Sequence, residues 1–192
     1  MKYKALLFAI WLCSGVAFAG DITSAYTRFA LETDCRLTEQ DEEQTYAFWL
    51  CPGYKGIEVL QAYSDDRAFV GFGADARDSC AFRRTFTPFN SALSPIEWRL
   101  RDGKPFAVIE RWRVSTDDQG GTRTWLVVTA LQGAEACHVH YVEGAFPRAN
   151  EEARRAADEL VPGFDCQSDE PSFSTTSAPP PIAIAACSAA AE

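Results

Sequence analysis

Residues 96–114 alternate polar and apolar side chains on either side of Arg101-Asp102-Gly103, a pattern that fits an antiparallel hairpin. A three-residue loop with Gly103 in the left-handed region gives the more consistent register. Trp98 then faces Phe106, and Ile96 faces Val108, on an apolar side. Glu97, Arg99, Arg111 and Arg113 fall on the opposite side. A strict two-residue Asp-Gly turn would set Arg99 against Phe106, so the pattern rejects it.

Most other segments are also β-rich. Residues 45–51 are aromatic and end at Pro52-Gly53, and residues 57–63 and 68–73 form a hairpin across Ser64-Asp65-Asp66. Residues 125–131 and 136–142 continue the run after the loop 115–121. One helix is well signalled over 150–160. Asn150 can cap it, Glu151 and Glu152 sit in its first turn, and Pro162-Gly163 stops it. Ala153, Ala156, Ala157 and Leu160 form a stripe of mostly small residues suited to close packing on a sheet. A second short helix is expected at 25–32. The expected fold class is α+β: a mainly antiparallel sheet of about six to eight strands, curved or barrel-like, with one packed C-terminal helix.

The ends of the chain differ from this core. Residues 1–19 have the form of a signal peptide: Lys2 and Lys4, an apolar stretch over 5–16, and Ala17-Phe18-Ala19 as cleavage site. The apolar stretch is shorter than the ~20 residues a membrane-spanning helix requires. Residues 20–166 then form the folded domain. Residues 167–192 are rich in Ser, Thr, Ala and Pro and are expected to be a disordered tail.

Six cysteines follow the signal: Cys35, Cys51, Cys80, Cys137, Cys166 and Cys187. An even number in an exported chain favours disulfides, and no C-x-x-C supports a zinc or redox motif. Of the fifteen possible connectivities, two pairings are expected. Cys35–Cys51 closes a short acidic loop before a strand, and Cys137–Cys166 ties a strand to the end of the helix. For Cys80 and Cys187, mutual pairing, a free thiol and an intermolecular bridge all stay open.

Signals for catalysis are sparse. No G-x-S-x-G, H-E-x-x-H or Walker pattern is present, and Gly71-Phe72-Gly73 is a lone G-x-G with no helix after it. The two histidines, His138 and His140, would share one face of a regular strand and could bind a metal weakly. Glu143 would then point to the other face. Glu110 falls on the apolar face between Val108 and Trp112. There it is either salt-bridged, with Arg123 a candidate partner, or a raised-pKa carboxyl lining a cavity. Trp98 and Trp112 read as core, while Trp49 and Trp125 are open to core packing or sugar stacking.

Charge is more informative. The chain carries −9, which excludes a basic nucleic-acid binder, yet residues 81–125 hold eight basic and five acidic residues. Fourteen arginines against four lysines favour bidentate contacts to carboxylate or phosphate. Arg99, Arg111 and Arg113 on one face are therefore candidate binding residues for an anionic envelope or protein partner.

The stretches Cys51-Pro52-Gly53-Tyr54, Glu97-Trp98-Arg99, Pro105-Phe106-Ala107 and Cys137-His138-Val139, followed by the 150–160 helix, resemble small exported proteins of proteobacteria that carry no assigned activity. The resemblance runs from about Cys35 to Cys166. It associates Cys35, Cys51, Cys137 and Cys166 with the recurring cysteines, and sets Cys80 and Cys187 apart as additions. His140 departs from it, a small residue being usual there. The resemblance implies a periplasmic compartment and no particular activity. A looser similarity to periplasmic β-barrel lysozyme inhibitors rests on architecture alone. The expected function is a non-enzymatic, cofactor-free binding module of the cell envelope. The alternative is a metal-dependent hydrolase built on His138, His140 and a carboxylate such as Glu110.

Overall fold

The computed structural model describes residues 20–117 and 119–184. The expected signal and Cys187 lie outside the described residues. The elements run β1 (Ile22–Thr27), α1 (Leu31–Asp34), β2 (Arg36–Gln40), β3 (Tyr46–Tyr54), β4 (Ile57–Ser64) and β5 (Arg67–Phe72). Then come β6 (Arg84–Phe86), β7 (Asn90–Arg101), β8 (Lys104–Ser115), β9 (Thr122–Gln132) and β10 (Glu135–Glu143). The chain continues through α2 (Ala149–Leu160), a 3-10 turn at Val161–Gly163, β11 (Ser172–Ser174) and β12 (Ile182–Ile184). The helix expected at 25–32 is not formed: residues 25–27 end β1, which pairs along β7, residues 28–30 are irregular, and only the single turn α1 follows.

Instead of one closed barrel the strands form three sheets, ordered β1-β7-β8-β9-β10-β11, β2-β3-β4-β5 and β12-β6. Pairing is antiparallel except for β11, which runs parallel to β10. The four-stranded sheet covers one face of the six-stranded sheet. Between them lies an aromatic core in which Trp98, Trp112, Trp125, Phe86 and Tyr141 are at most 1% exposed. The other face of β8–β10 carries Ala107, Ile109, Leu126, Val128, Val139 and Val142, and α2 packs against it through Ala153, Ala156 and Ala157. Burial on both sides explains why β8–β10 contain long apolar runs as well as alternating stretches.

The β7–β8 hairpin corrects the expected register. Arg101 pairs with Lys104, so Asp102 and Gly103 form a two-residue turn with φ of 50° and 73°. Both angles match the tight turn that suits a twisted hairpin. The register then shifts between Arg99 and Leu100: Leu100 faces Pro105, Arg99 faces Ala107, and Phe106 is the extra residue of a bulge. That bulge restores the alternation, so Trp98 reaches the core opposite Val108 rather than Phe106. Likewise β3 passes through Pro52-Gly53 instead of stopping there, with a shift between Cys51 and Tyr54. A Cβ on Gly53 would sit 1.8 Å from the Ile57 carbonyl oxygen, so only glycine fits this crossing.

Both expected disulfides are present, Cys35–Cys51 and Cys137–Cys166, and Cys80 is disulfide-bonded as well. Such cross-links mark an oxidising environment. Among the described residues no helix is long and apolar enough to cross a membrane.

The segment after Cys166, expected to be disordered, is laid across the domain as far as Ile184. Ser172, Phe173 and Ser174 pair with His140, Tyr141 and Val142, and Ile182–Ile184 pairs with β6. Composition misled here because Phe173 and Ile182, the few apolar residues of the segment, both pack against the aromatic core. Helix α2 begins at Ala149 with Arg148 as its N-cap, and no side chain caps it. The Asn150 side chain instead accepts a hydrogen bond from Arg111.

The alanine stripe sets the distance between helix and sheet, and Ala157 has no exposed surface. Ala157→Leu is expected to overpack this contact and cost about 1–3 kcal/mol. Denaturant midpoints of the two proteins measure the difference.

Candidate functional site

The three arginines proposed as one binding face have different fates. Arg99 is 7% exposed and lies under α2. Its Nε and Nη2 donate to the two carboxylate oxygens of Asp158 at 2.9 and 2.5 Å, and its Nη1 donates to Ser24 Oγ at 2.6 Å. Glu97, two residues earlier on the same face, receives Arg154 Nε at 2.7 Å and the Ser24 hydroxyl at 2.5 Å. The hydrogen-bonded Glu97 carboxylate holds Arg154 above its ordinary pKa. Arg99 is thus a fastening between sheet and helix, and a partner cannot reach it while α2 is in place.

Arg111 and Arg113 continue the same face of β8 toward the N-terminal end of α2. Arg111 is half-buried and donates to Asn150 Oδ1 at 2.8 Å, while Arg113 is exposed. Among the described residues neither forms an ion pair, although Arg67, Arg77, Arg99, Arg123, Arg154 and Arg155 all do. Arg113 stands opposite Thr124 in the sheet, and Arg111 opposite Leu126. A shallow cleft of about 410 Å³ adjoins Arg111, lined also by Thr122, Arg123, Thr124, Glu143, Gly144 and Ala145. Arg111 and the two threonine hydroxyls can donate to an anion there, while Arg123 is held beside Glu143, a carboxylate of the same cleft.

Arg123, a candidate partner for Glu110, turns to Glu143 instead, at 3.8 Å, and donates to Ser177 Oγ at 2.7 Å. Glu143 also receives the Thr175 hydroxyl, the Thr176 hydroxyl and backbone N–H, and the Ser177 hydroxyl. These donors, the Thr176 hydroxyl foremost, pull its pKa down to about 2.

Glu110 is 3% exposed and, among the described residues, has no salt bridge. Its one hydrogen bond is from Trp112 Nε1, at 2.9 Å. Burial raises its pKa to about 8, with the indole bond opposing the shift. Burial also raises the Tyr63 pKa, and the nearby Glu110 carboxyl adds to that shift. Five open clefts among the described residues are lined by other residues and not by Glu110.

The two histidines do not share a face. The register shifts between them, since His138 pairs with Thr129 and His140 with Val128, so Val139 is the extra residue. His138 enters the aromatic core, with Nδ1 2.8 Å from the Tyr141 hydroxyl and its ring edge-on to Trp112. Burial, helped by the Arg84 charge, pushes its pKa down to about 3. His140 meets Ser172 at 2.7 Å and Ser174 at 3.0 Å, with Glu152 of α2 4.0 Å away. Burial lowers its pKa too. Among the described residues no three His, Cys, Asp or Glu side chains cluster in a way that could hold a metal ion. The expected metal pair is therefore undone by one bulge.

Of the tryptophans, Trp98, Trp112 and Trp125 are core, and Trp49 is half-buried with its ring edge-on to Tyr63. Another cleft, of about 530 Å³, has the half-exposed Phe89 at its rim. Its only arginine, Arg67, is already bonded to Asp65 and the Thr87 carbonyl. Sequence reasoning missed Arg84, Glu143 and the residues that cover them. The usable signal was Phe173, a lone large aromatic among serines and threonines.

The Glu110 carboxyl has a pH consequence. An unfolded glutamate loses its proton near its ordinary value of 4.5, whereas the folded chain keeps it until about pH 8. Between these values the folded state binds more protons, so stability falls as pH rises, by at most about 1.4 kcal/mol per pH unit. The neutral His138 acts in the opposite sense, and only below its unfolded value of 6.5. Glu110→Gln should therefore flatten the decline between pH 6.5 and 8, read from melting temperatures across that range.

No family model, curated protein or solved structure matches this chain.

Proposed function

We propose that this chain is an exported, periplasmic binding module without catalytic activity of its own. Its recognition surface is the Arg111–Arg113 end of β8, and its partner presents carboxylates. One observation carries the reading. These two arginines lie on one strand face, two residues and roughly 7 Å apart, and among the described residues have no carboxylate partner, in a chain whose net charge is −9. In an acidic protein, arginines without a partner keep their forks available for an external acid. Thr122 and Thr124 supply neutral donors beside them, and Asn150 orients Arg111 without neutralising it. The disulfides suit the periplasm, and the resemblance to exported proteobacterial proteins agrees with that compartment.

Exposed ion pairs depend on salt, so binding through this surface should weaken as ionic strength rises. The double variant Arg111→Glu, Arg113→Glu should lower affinity for a fluorescent polyglutamate probe at least tenfold. It should also lose the partners that the native chain recovers from periplasmic extract. Its melting temperature should stay within a few degrees of native. Arg99→Ala should behave differently, losing on the order of 3 kcal/mol of stability because Asp158 is left without its cation. Equal probe affinity in the native and charge-reversed chains would sink the assignment.

A further inference from the structure

Residues 167–184 form a strap laid over the sheets. None of residues 171–180 is buried. Yet the strap covers Arg84, Trp125, Tyr141, His140 and Glu143, each at most 5% exposed. It lies on the surface as a bound peptide lies in its groove.

The groove has the parts of a strand-recognition site. The edge of β10 accepts Ser172, Phe173 and Ser174 as an added parallel strand. Phe173 stacks on Tyr141, with ring centres 5.0 Å apart and planes 16° apart, and meets Trp125 edge-on. Three residues earlier, Glu170 approaches the guanidinium of Arg84 at 3.4 Å. Beyond the aromatic, Ser174, Thr175, Thr176 and Ser177 donate to Glu152 and Glu143. Main-chain pairing gives such a site affinity, and pockets for particular side chains give it selectivity.

Arg84 is the part that the strap leaves incomplete. Its side chain is 4% exposed, while Glu170, its carboxylate partner, is 73% exposed. Among the described residues, Arg84 Nε is buried with no hydrogen-bond partner. A buried guanidinium usually has its donors satisfied, because an unmet one loses its hydration without return. Glu170 therefore fits the cation loosely. An incoming carboxylate seated more deeply could take both Nε and Nη2.

We infer that the groove over Arg84, Tyr141 and Glu143 is a binding site for an extended segment of a partner protein, and that the strap is its resident stand-in. The segment it fits has an acidic residue, an aromatic three positions later, and hydroxyl residues after the aromatic. It would add to β10 in parallel, with residues 168–178 of the strap displaced between Cys166, which the disulfide to Cys137 holds beside β10, and β12, which stays paired with β6. This site shares Arg123 and Glu143 with the cleft beside Arg111 but uses neither Arg111 nor Arg113, so either proposal can fail without the other.

A labelled synthetic peptide of residues 168–178 provides the test, read by fluorescence anisotropy against the full chain. Phe173→Ala loosens the strap, so this variant is expected to bind the peptide at least tenfold more tightly than the native chain does. A peptide that itself carries Phe173→Ala should not bind. Glu170→Gln in the peptide should weaken binding several-fold, an effect that should disappear in a chain carrying Arg84→Leu. A Phe173→Ala chain with native circular dichroism that ignores the peptide would overturn the proposal. If that variant does not fold, hydrogen exchange on the native chain decides. Amides of residues 172–177 should open well before those of β8 and β9, and exchange only through global unfolding would overturn it.

Discussion

Two ion pairs between β7 and α2 organise this molecule. Glu97 and Arg99 alternate with core residues on one strand face, and Arg154 and Asp158, one turn apart on the helix, answer them. Ser24 of the neighbouring strand bonds to both Glu97 and Arg99. The buried members, Glu97 and Arg99, are costly alone and tolerable beside the more exposed Arg154 and Asp158. Their complementarity fixes the rotation and the position of α2, which then sets Ala153, Ala156 and Ala157 against the sheet. Because the helix starts near Arg111, it buries Arg99 and leaves Arg113 in solvent.

The second organising feature is the placement of bulges. One residue at Phe106 and one at Val139 shift the registers of β8 and β10. A single extra residue reverses the face of every side chain beyond it, which is how bulges re-aim side chains. The first keeps Trp98 and Trp112 together in the core. The second separates His138, held by Tyr141, from His140, held by the strap serines. A double-sided sheet with such corrections can bury charged and polar groups such as Glu110, Arg84 and His138 on the aromatic side, because neighbouring strands and the strap seal them from water.

Much of the architecture was legible in the residues. The hairpin at Asp65-Asp66, the strands on either side of Asp102-Gly103 and the 150–160 helix follow from local periodicity and turn chemistry, and both expected disulfides formed. The turn register did not, because choosing between two and three loop residues assumed regular strands. The strap did not, because a serine- and threonine-rich segment lacks the apolar content that normally predicts order. Its placement rests on hydroxyl donors meeting Glu143 and Glu152, and on one ring, Phe173, meeting Tyr141.

The residues by themselves determined that the chain is β-rich, cross-linked, acidic overall and arginine-bearing at its centre. These are properties of composition and of spacing over a few positions. Which of those arginines meets solvent was decided only in three dimensions. Arg99 and Arg113 are alike in sequence pattern, and the difference between them is Asp158, some sixty residues along the chain and brought over one of them by the helix. Burial is a property of what lies opposite, and a one-dimensional pattern does not contain the opposite element.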